Sequence, residues 1–183
     1  MALARIYLLD EFYIKDIYSS LELLRLVRNC SRLFDKEISD LIANVDNPIY
    51  YSFALIILED NIQFDWAIIR LARAYRDGRG VEKDYSKAEG LYAAAVEKNP
   101  AWTYEFCDFL WKRAEPSSDA RMVAVATEMS KRGNADANGW LARAYRDGRG
   151  VEKNVEKSIE LFSLASSKNK KWNDELIKTK ASV

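Results

Sequence analysis

Residues 71–83 read LARAYRDGRGVEK, and residues 141–153 read the same. In a chain of 183 residues that identity is a duplication, not an accident. The register also continues beyond it. Asp84 answers to Asn154, Leu91 to Leu161, Tyr92 to Phe162, Lys98-Asn99 to Lys168-Asn169 and Trp102 to Trp172. A fixed period of this kind belongs to folds in which similar units stack on one another. Such a stack offers an extended binding surface rather than a closed pocket for chemistry.

The long period contains a shorter one. A shift of 35 places Leu71 on Phe106, Ala72 on Cys107, Ala74 on Phe109 and Tyr75 on Leu110, so apolar character survives where identity does not. Upstream, residues 3–7 (LARIY) repeat the LARxY pattern, and Ile38, Leu41 and Ile42 take the places of Leu71, Ala74 and Tyr75. The count is five units, approximately 1–36, 37–66, 67–101, 102–136 and 137–171, with a C-terminal cap at 172–183.

Each unit reads as two helices. In the third, Trp66, Ala67, Ile69, Leu71, Ala74 and Tyr75 make one apolar helical stripe. Asp77-Gly78 ends it, because glycine takes the left-handed conformation that closes a last turn. The loop 79–83 follows, with Val81 directed into the core, and Asp84 is placed to cap the next helix. That helix carries Ala88, Leu91, Tyr92, Ala95 and Val96 at helical spacing, and Asn99-Pro100 stops it. The apolar run 53–58 fits a buried helix of the second unit, and no segment alternates as a strand would.

The residues 71–75 (LARAY), the loop 77–81 (DGRGV), Lys83-Asp84 and Lys87-Ala88 leading into Leu91-Tyr92 resemble the Sel1-like repeat, a variant of the tetratricopeptide repeat with a longer inter-helix loop. The third and fifth units carry the resemblance closely, the fourth mainly in its second half (Met129, Gly133-Asn134, Ala135), and the first two only in framework. The resemblance implies an all-α, αα-superhelical solenoid whose first helices line a concave face. It also implies a scaffold or adaptor that recognises a protein or peptide. A further likeness, to modules appended to bacterial surface-polysaccharide enzymes, supplies the alternative of an accessory or carbohydrate-binding module.

Composition narrows the function further. Lysine plus arginine number 28 and aspartate plus glutamate 28, so there is no basic surplus to draw nucleic acid or an anionic membrane. No apolar run reaches the length of a membrane span, and the first twelve residues lack the design of a signal peptide. Histidine is absent, which removes the commonest general base and metal ligand. The Gly-Arg-Gly loops lack the Lys-Ser/Thr ending of a phosphate loop. Cys30 and Cys107 are the only cysteines, and Cys107 falls on an alanine position of the repeat. These features favour a non-catalytic, cofactor-free, cytoplasmic protein. A small-molecule hydrolase is a third reading, opposed by the missing histidine and the missing Ser-x-x-Lys.

Charge on the first helices is patterned. One row runs Arg5, Asp40, Arg73, Asp108, Arg143; a second, one turn earlier, runs Glu37, Arg70, Glu105; a third, one turn later, runs Asp77, Lys112, Asp147. Each row alternates in sign, which predicts pairing along the row: Asp108 with Arg73 or Arg143, and Arg70 with Glu37 or Glu105. Trp66, Trp102 and Trp172 fall at unit junctions and read as core. Trp111 and Trp140 stand where other units place Arg and Glu, and so are candidates for the groove. The expected contact residues are Arg70 and Arg73 in the third unit, Glu105, Asp108 and Trp111 in the fourth, and Trp140, Arg143 and Arg146 in the fifth. At the N-terminal edge, Leu8, Leu9 and Phe12 occupy positions that are polar elsewhere, suiting an upstream domain or a second copy docked there.

Overall fold

The computed structural model of the chain describes residues 48–181 continuously, together with Glu22, Arg25, Leu26, Asp35, Lys36, Ser39 and Asp40. Leu8, Leu9, Phe12, Arg5, Glu37 and Cys30 lie outside the described residues, and so do the expectations that rest on them. Eight helices follow Pro48: α1 (Pro48–Asp60), α2 (Asp65–Asp77), α3 (Tyr85–Lys98), α4 (Thr103–Arg113), α5 (Pro116–Lys131), α6 (Ala135–Asp147), α7 (Val155–Lys168) and α8 (Asn173–Lys180). No strand occurs among the described residues. Contacts gather into two compact units, Met1–Leu91 and Tyr92–Val183, with α3 crossing the boundary.

In the first unit, α1 packs on α2. Leu55, Leu58, Ala67, Leu71 and Ala74 form its core, with Trp66, Tyr75, Val81 and Leu91 packed against them. The apolar run 53–58 is therefore a buried helix, apart from Ile56, which is exposed. Gly78 closes α2 in the left-handed conformation at φ 73°, with its N–H donated to Ala74 O. Asp84 caps α3 through Oδ1, which accepts from Lys87 N at 2.9 Å.

In the second unit, α4 packs on α5 and α6, α6 on α5 and α7, and α7 on α8. Small residues sit where helices approach: Cys107, Ala126, Ala142 and Ala165 are wholly buried. Burial raises the Cys107 thiol well above its ordinary pKa, and Asp136 and Asp108 push it the same way. Asn154 caps α7 as Asp84 caps α3, accepting from Lys157 N at 2.8 Å. Where α4 ends, the fourth unit lacks the glycine of its neighbours, and Ala114 takes the left-handed conformation at φ 53°.

Candidate interaction surface

The loop that follows each LARAY helix docks on the start of a second helix. Gly150 has φ +70°, and a Cβ there would stand 2.7 Å from the carbonyl oxygen of Asp119, in the first turn of α5. Gly80, at φ +74°, lies equally close to Tyr51 of α1. Glycine is needed twice over at these positions, for the backbone angle and for the space. In the second unit the docked loop delivers Arg149. Its Nη2 and Nε donate to the Asp119 carboxylate at 2.5 and 3.1 Å, and Nη2 also donates to Trp111 O at 2.9 Å. The guanidinium lies 3.7 Å from the centre of the Trp111 ring.

The charged residues of the first helices do pair between repeats, but along a diagonal. Arg70 pairs with Asp40 of the preceding first helix. Arg143 pairs with Glu175 of α8 at 2.6 Å, and Arg146 grips the other oxygen of the same carboxylate at 2.5 Å. In both places a residue of the first row meets a residue of the second row in the next unit. Within the second unit Asp108 does not meet Arg143 and pairs with Lys112 in its own helix at 2.6 Å. The diagonal explains why. The second-row position one unit after Asp108 is Trp140, which has no charge to offer. For Asp108 and Arg143 the same-row pairing is therefore corrected to a one-turn slip between neighbouring first helices, interrupted at Trp140.

Trp140 is also corrected as a groove residue. It is 0% exposed, with its ring 5.5 Å from Tyr104, 5.8 Å from Trp111 and 6.1 Å from Trp172. Gly139 beside it makes this possible: a Cβ there would lie 2.2 Å from the Trp172 ring. Trp172 is core, as its junction position suggests, whereas Trp66 and Trp102 are only half-buried. Trp111 is half-buried beneath Arg149. Arg70, Arg73, Glu105, Asp108, Arg143 and Arg146 are all half-exposed. Glu105 accepts a hydrogen bond from the Tyr92 hydroxyl at 3.0 Å, and Arg143 lies between two rings, 4.7 Å from Trp140 and 4.9 Å from Trp172.

Electrostatics follow from these contacts. Burial lowers the pKa of Arg70, and the charge of Arg73 lowers it further. The hydrogen bonds from Arg76 are the largest influence on Asp77 and hold its carboxyl below the usual range. At Glu175 burial opposes ionisation, but the hydrogen bonds and charges of Arg146 and Arg143 outweigh it, so its pKa is depressed. A depressed carboxylate contributes stability above its unfolded pKa and loses it as pH falls through the folded value. Wild type should therefore exceed Glu175→Gln in stability at neutral pH. The gap should close below the ordinary glutamate range, and salt should narrow it as well. Denaturant titrations of both proteins across pH check this; a pH-independent gap would mean the carboxylate charge contributes nothing.

Sequence reasoning missed Arg149, Asp119 and Glu175. Glu175 was accessible, because it continues the second row one period after Glu105. Arg149 was hidden inside a loop whose glycines explain themselves by backbone geometry alone.

In the first unit an open groove of about 330 Å³ lies among the helical residue Ser39, α1 and α2. Four arginines line it, Arg70, Arg73, Arg76 and Arg79, over a floor that includes Ala54, Leu55 and Leu58. Asp77 is the only carboxylate in the lining among the described residues, and Arg76 holds it at 2.7 Å.

No curated protein matches the chain. Among solved structures it resembles a protective antigen present in uropathogenic Escherichia coli strains that displays an SLR fold, at 18% identity and a TM-score of 0.59, covering 82% of this chain and 34% of that one. A Sel1 repeat protein from Oxalobacter formigenes matches at 17% identity over 84% of this chain and 57% of that one, with a TM-score of 0.37. The chain thus spans about a third of the first neighbour and somewhat more than half of the second. The Sel1 repeat pattern matches residues 67–100 and 135–170, the two segments built around the duplicated LARAYRDGRGVEK. Helix pairs, docked Gly-Arg-Gly loops and this match agree that residues 67–100 and 135–170 are Sel1 repeats, and the first neighbour shares their fold.

Proposed function

We propose that the chain is a non-catalytic scaffold that binds a protein or peptide through the half-exposed residues of its first helices. The first unit contributes Arg70 and Arg73, and the second contributes Glu105, Asp108, Trp111, Arg143 and Arg146. One observation carries the reading. These side chains are of mixed charge, arginine-rich and half-exposed, on helices whose other faces supply the core. Arginine and tryptophan are also the residue types that most often dominate binding energy. Among the described residues no helix is long and apolar enough to cross a membrane. A single solenoid over residues 1–183, and a reducing, cytoplasmic setting, belong to the same proposal; the free, buried thiol of Cys107 supports the latter. The carbohydrate-binding alternative needs stacked, accessible rings, and the burial of Trp140 removes one of the two that suggested it.

The test begins with affinity purification of a partner from the native cell. Arg143 already holds Glu175, so its reversal would set two carboxylates together. Arg73→Glu with Asp108→Lys leaves that pair in place and gives up only the exposed Lys112 contact of Asp108. Partner affinity should fall at least about tenfold, or 1.4 kcal/mol, while helicity by circular dichroism stays unchanged. A double variant that binds as tightly as wild type removes the first helices from the interface.

A further inference from the structure

The duplicated segment occurs twice with identical sequence, so the two copies differ only in what surrounds them. Around the second copy the space is filled. Asp119 holds Arg149, the Trp111 ring lies under that guanidinium, and Trp140, 5.8 Å from that ring, and Met122, three residues after Asp119 in α5, are fully buried. The first copy has a different environment. Pro48 and Pro116 both open second helices, which aligns Tyr51 with Asp119 and Ala54 with Met122. The docking glycines agree, since Gly80 lies against Tyr51 as Gly150 lies against Asp119. In the same register Arg70 corresponds to Trp140. The carboxylate and the two fillers are thus replaced, no described ring lies under the loop's arginine, and the groove of about 330 Å³ lies at this position. The loop still delivers its arginine. Arg79 is exposed where Arg149 is half-buried, and it makes no ion pair among the described residues.

We infer that this groove binds an acidic aromatic group: a carboxylate for Arg79, in the role Asp119 plays for Arg149, beside a planar ring in the role of Trp111. The second unit contains the complex already assembled from its own side chains. Among the described residues the first unit keeps the receptor half and lacks the ligand half. Charge agrees at Arg79: Arg70 is held by Asp40 and Arg76 by Asp77, whereas Arg79 makes no ion pair among the described residues. Size agrees as well, since the volume lies at the lower end of ligand pockets, suited to one or two side chains. Assigning the ligand to a peptide partner rests on the scaffold reading above; the chemistry of the groove does not.

The probe is N-acetyltryptophan, titrated into the isotopically labelled full chain and followed by amide chemical shifts. Saturable shifts should centre on Tyr51, Arg79 and Gly80. N-acetyltryptophanamide, which lacks the carboxylate, and N-acetylalanine, which lacks the ring, should each bind about tenfold more weakly. Arg79→Met should weaken the probe about tenfold and, being an exposed loop change, should leave the fold intact by thermal melting. Ala54→Met, which restores the filler Met122 supplies elsewhere, should also weaken it. Arg149→Met should not. Absence of saturable shifts at millimolar probe, equal binding of the amide, or an equal loss in Arg149→Met overturns the assignment. If the probe fails while Arg73→Glu with Asp108→Lys still weakens the partner, the groove is wrong and the scaffold stands. If the probe behaves as described while that double variant binds its partner normally, the groove stands and the scaffold reading falls.

Discussion

Trp140→Ala should destabilise the second unit by about 3–5 kcal/mol, the range for removing a large buried ring. The side chain is 0% exposed. Its ring contacts Tyr104, Trp111 and Trp172, and Arg143 covers it at 4.7 Å. The loss exceeds simple transfer, because the neighbouring rings cannot collapse into the space without giving up their mutual contacts. Denaturant unfolding of Trp140→Ala measures it. A loss of under about 1 kcal/mol would match a surface position and would return Trp140 to the groove.

Gly150→Ala should cost about 2–4 kcal/mol, combining left-handed strain with a collision against backbone. The added Cβ would meet Asp119 O at 2.7 Å and its carbonyl carbon at 2.8 Å, neither of which can rotate away. Gly148 is an internal control. Its φ is +69°, but a Cβ there would meet nothing nearer than Lys153 Cβ at 3.4 Å. Gly148→Ala should therefore show the conformational part alone, about 1–2 kcal/mol. The difference between the two variants isolates the loop-docking contact, and equal losses would show that the loop bears no weight on α5.

Much of this architecture was legible in the sequence because it depends on local rules. Helical spacing found α2 and α3, the repeat carried that helix pair to the other units, the cap at Asp84 followed from residue type, and Cys107 read as core because its repeat equivalents are alanines. The site was less legible because it depends on how neighbouring helices register. Rows of like position suggested pairing at equal height. Side chains on a helix lean toward its N-terminus, however, and a first-row residue instead meets the second row of the next unit, as Asp40 meets Arg70 and Arg143 meets Glu175. Trp140 was ambiguous for a related reason. Its position holds arginine or glutamate in other units, and only the glycine at 139, which lets Trp172 lie against the helix backbone, turns it inward. Gly139 itself stands where the third unit has Ile69. That substitution was the available clue.

The aromatic cluster also makes the two halves of the chain optically unequal. Of the five tryptophans, Trp66 alone belongs to residues 1–91, whereas Trp102, Trp111, Trp140 and Trp172 belong to residues 92–183. Rings at 5.5 to 6.1 Å from one another exchange excitation and couple their absorption bands. Tryptophan emission and near-ultraviolet dichroism therefore report mainly on the second unit, while the amide signal averages over both. A melting curve taken by emission alone describes half of the molecule. Superposition of the two signals would mean that the halves unfold as one, and their separation would measure how far one half outlasts the other.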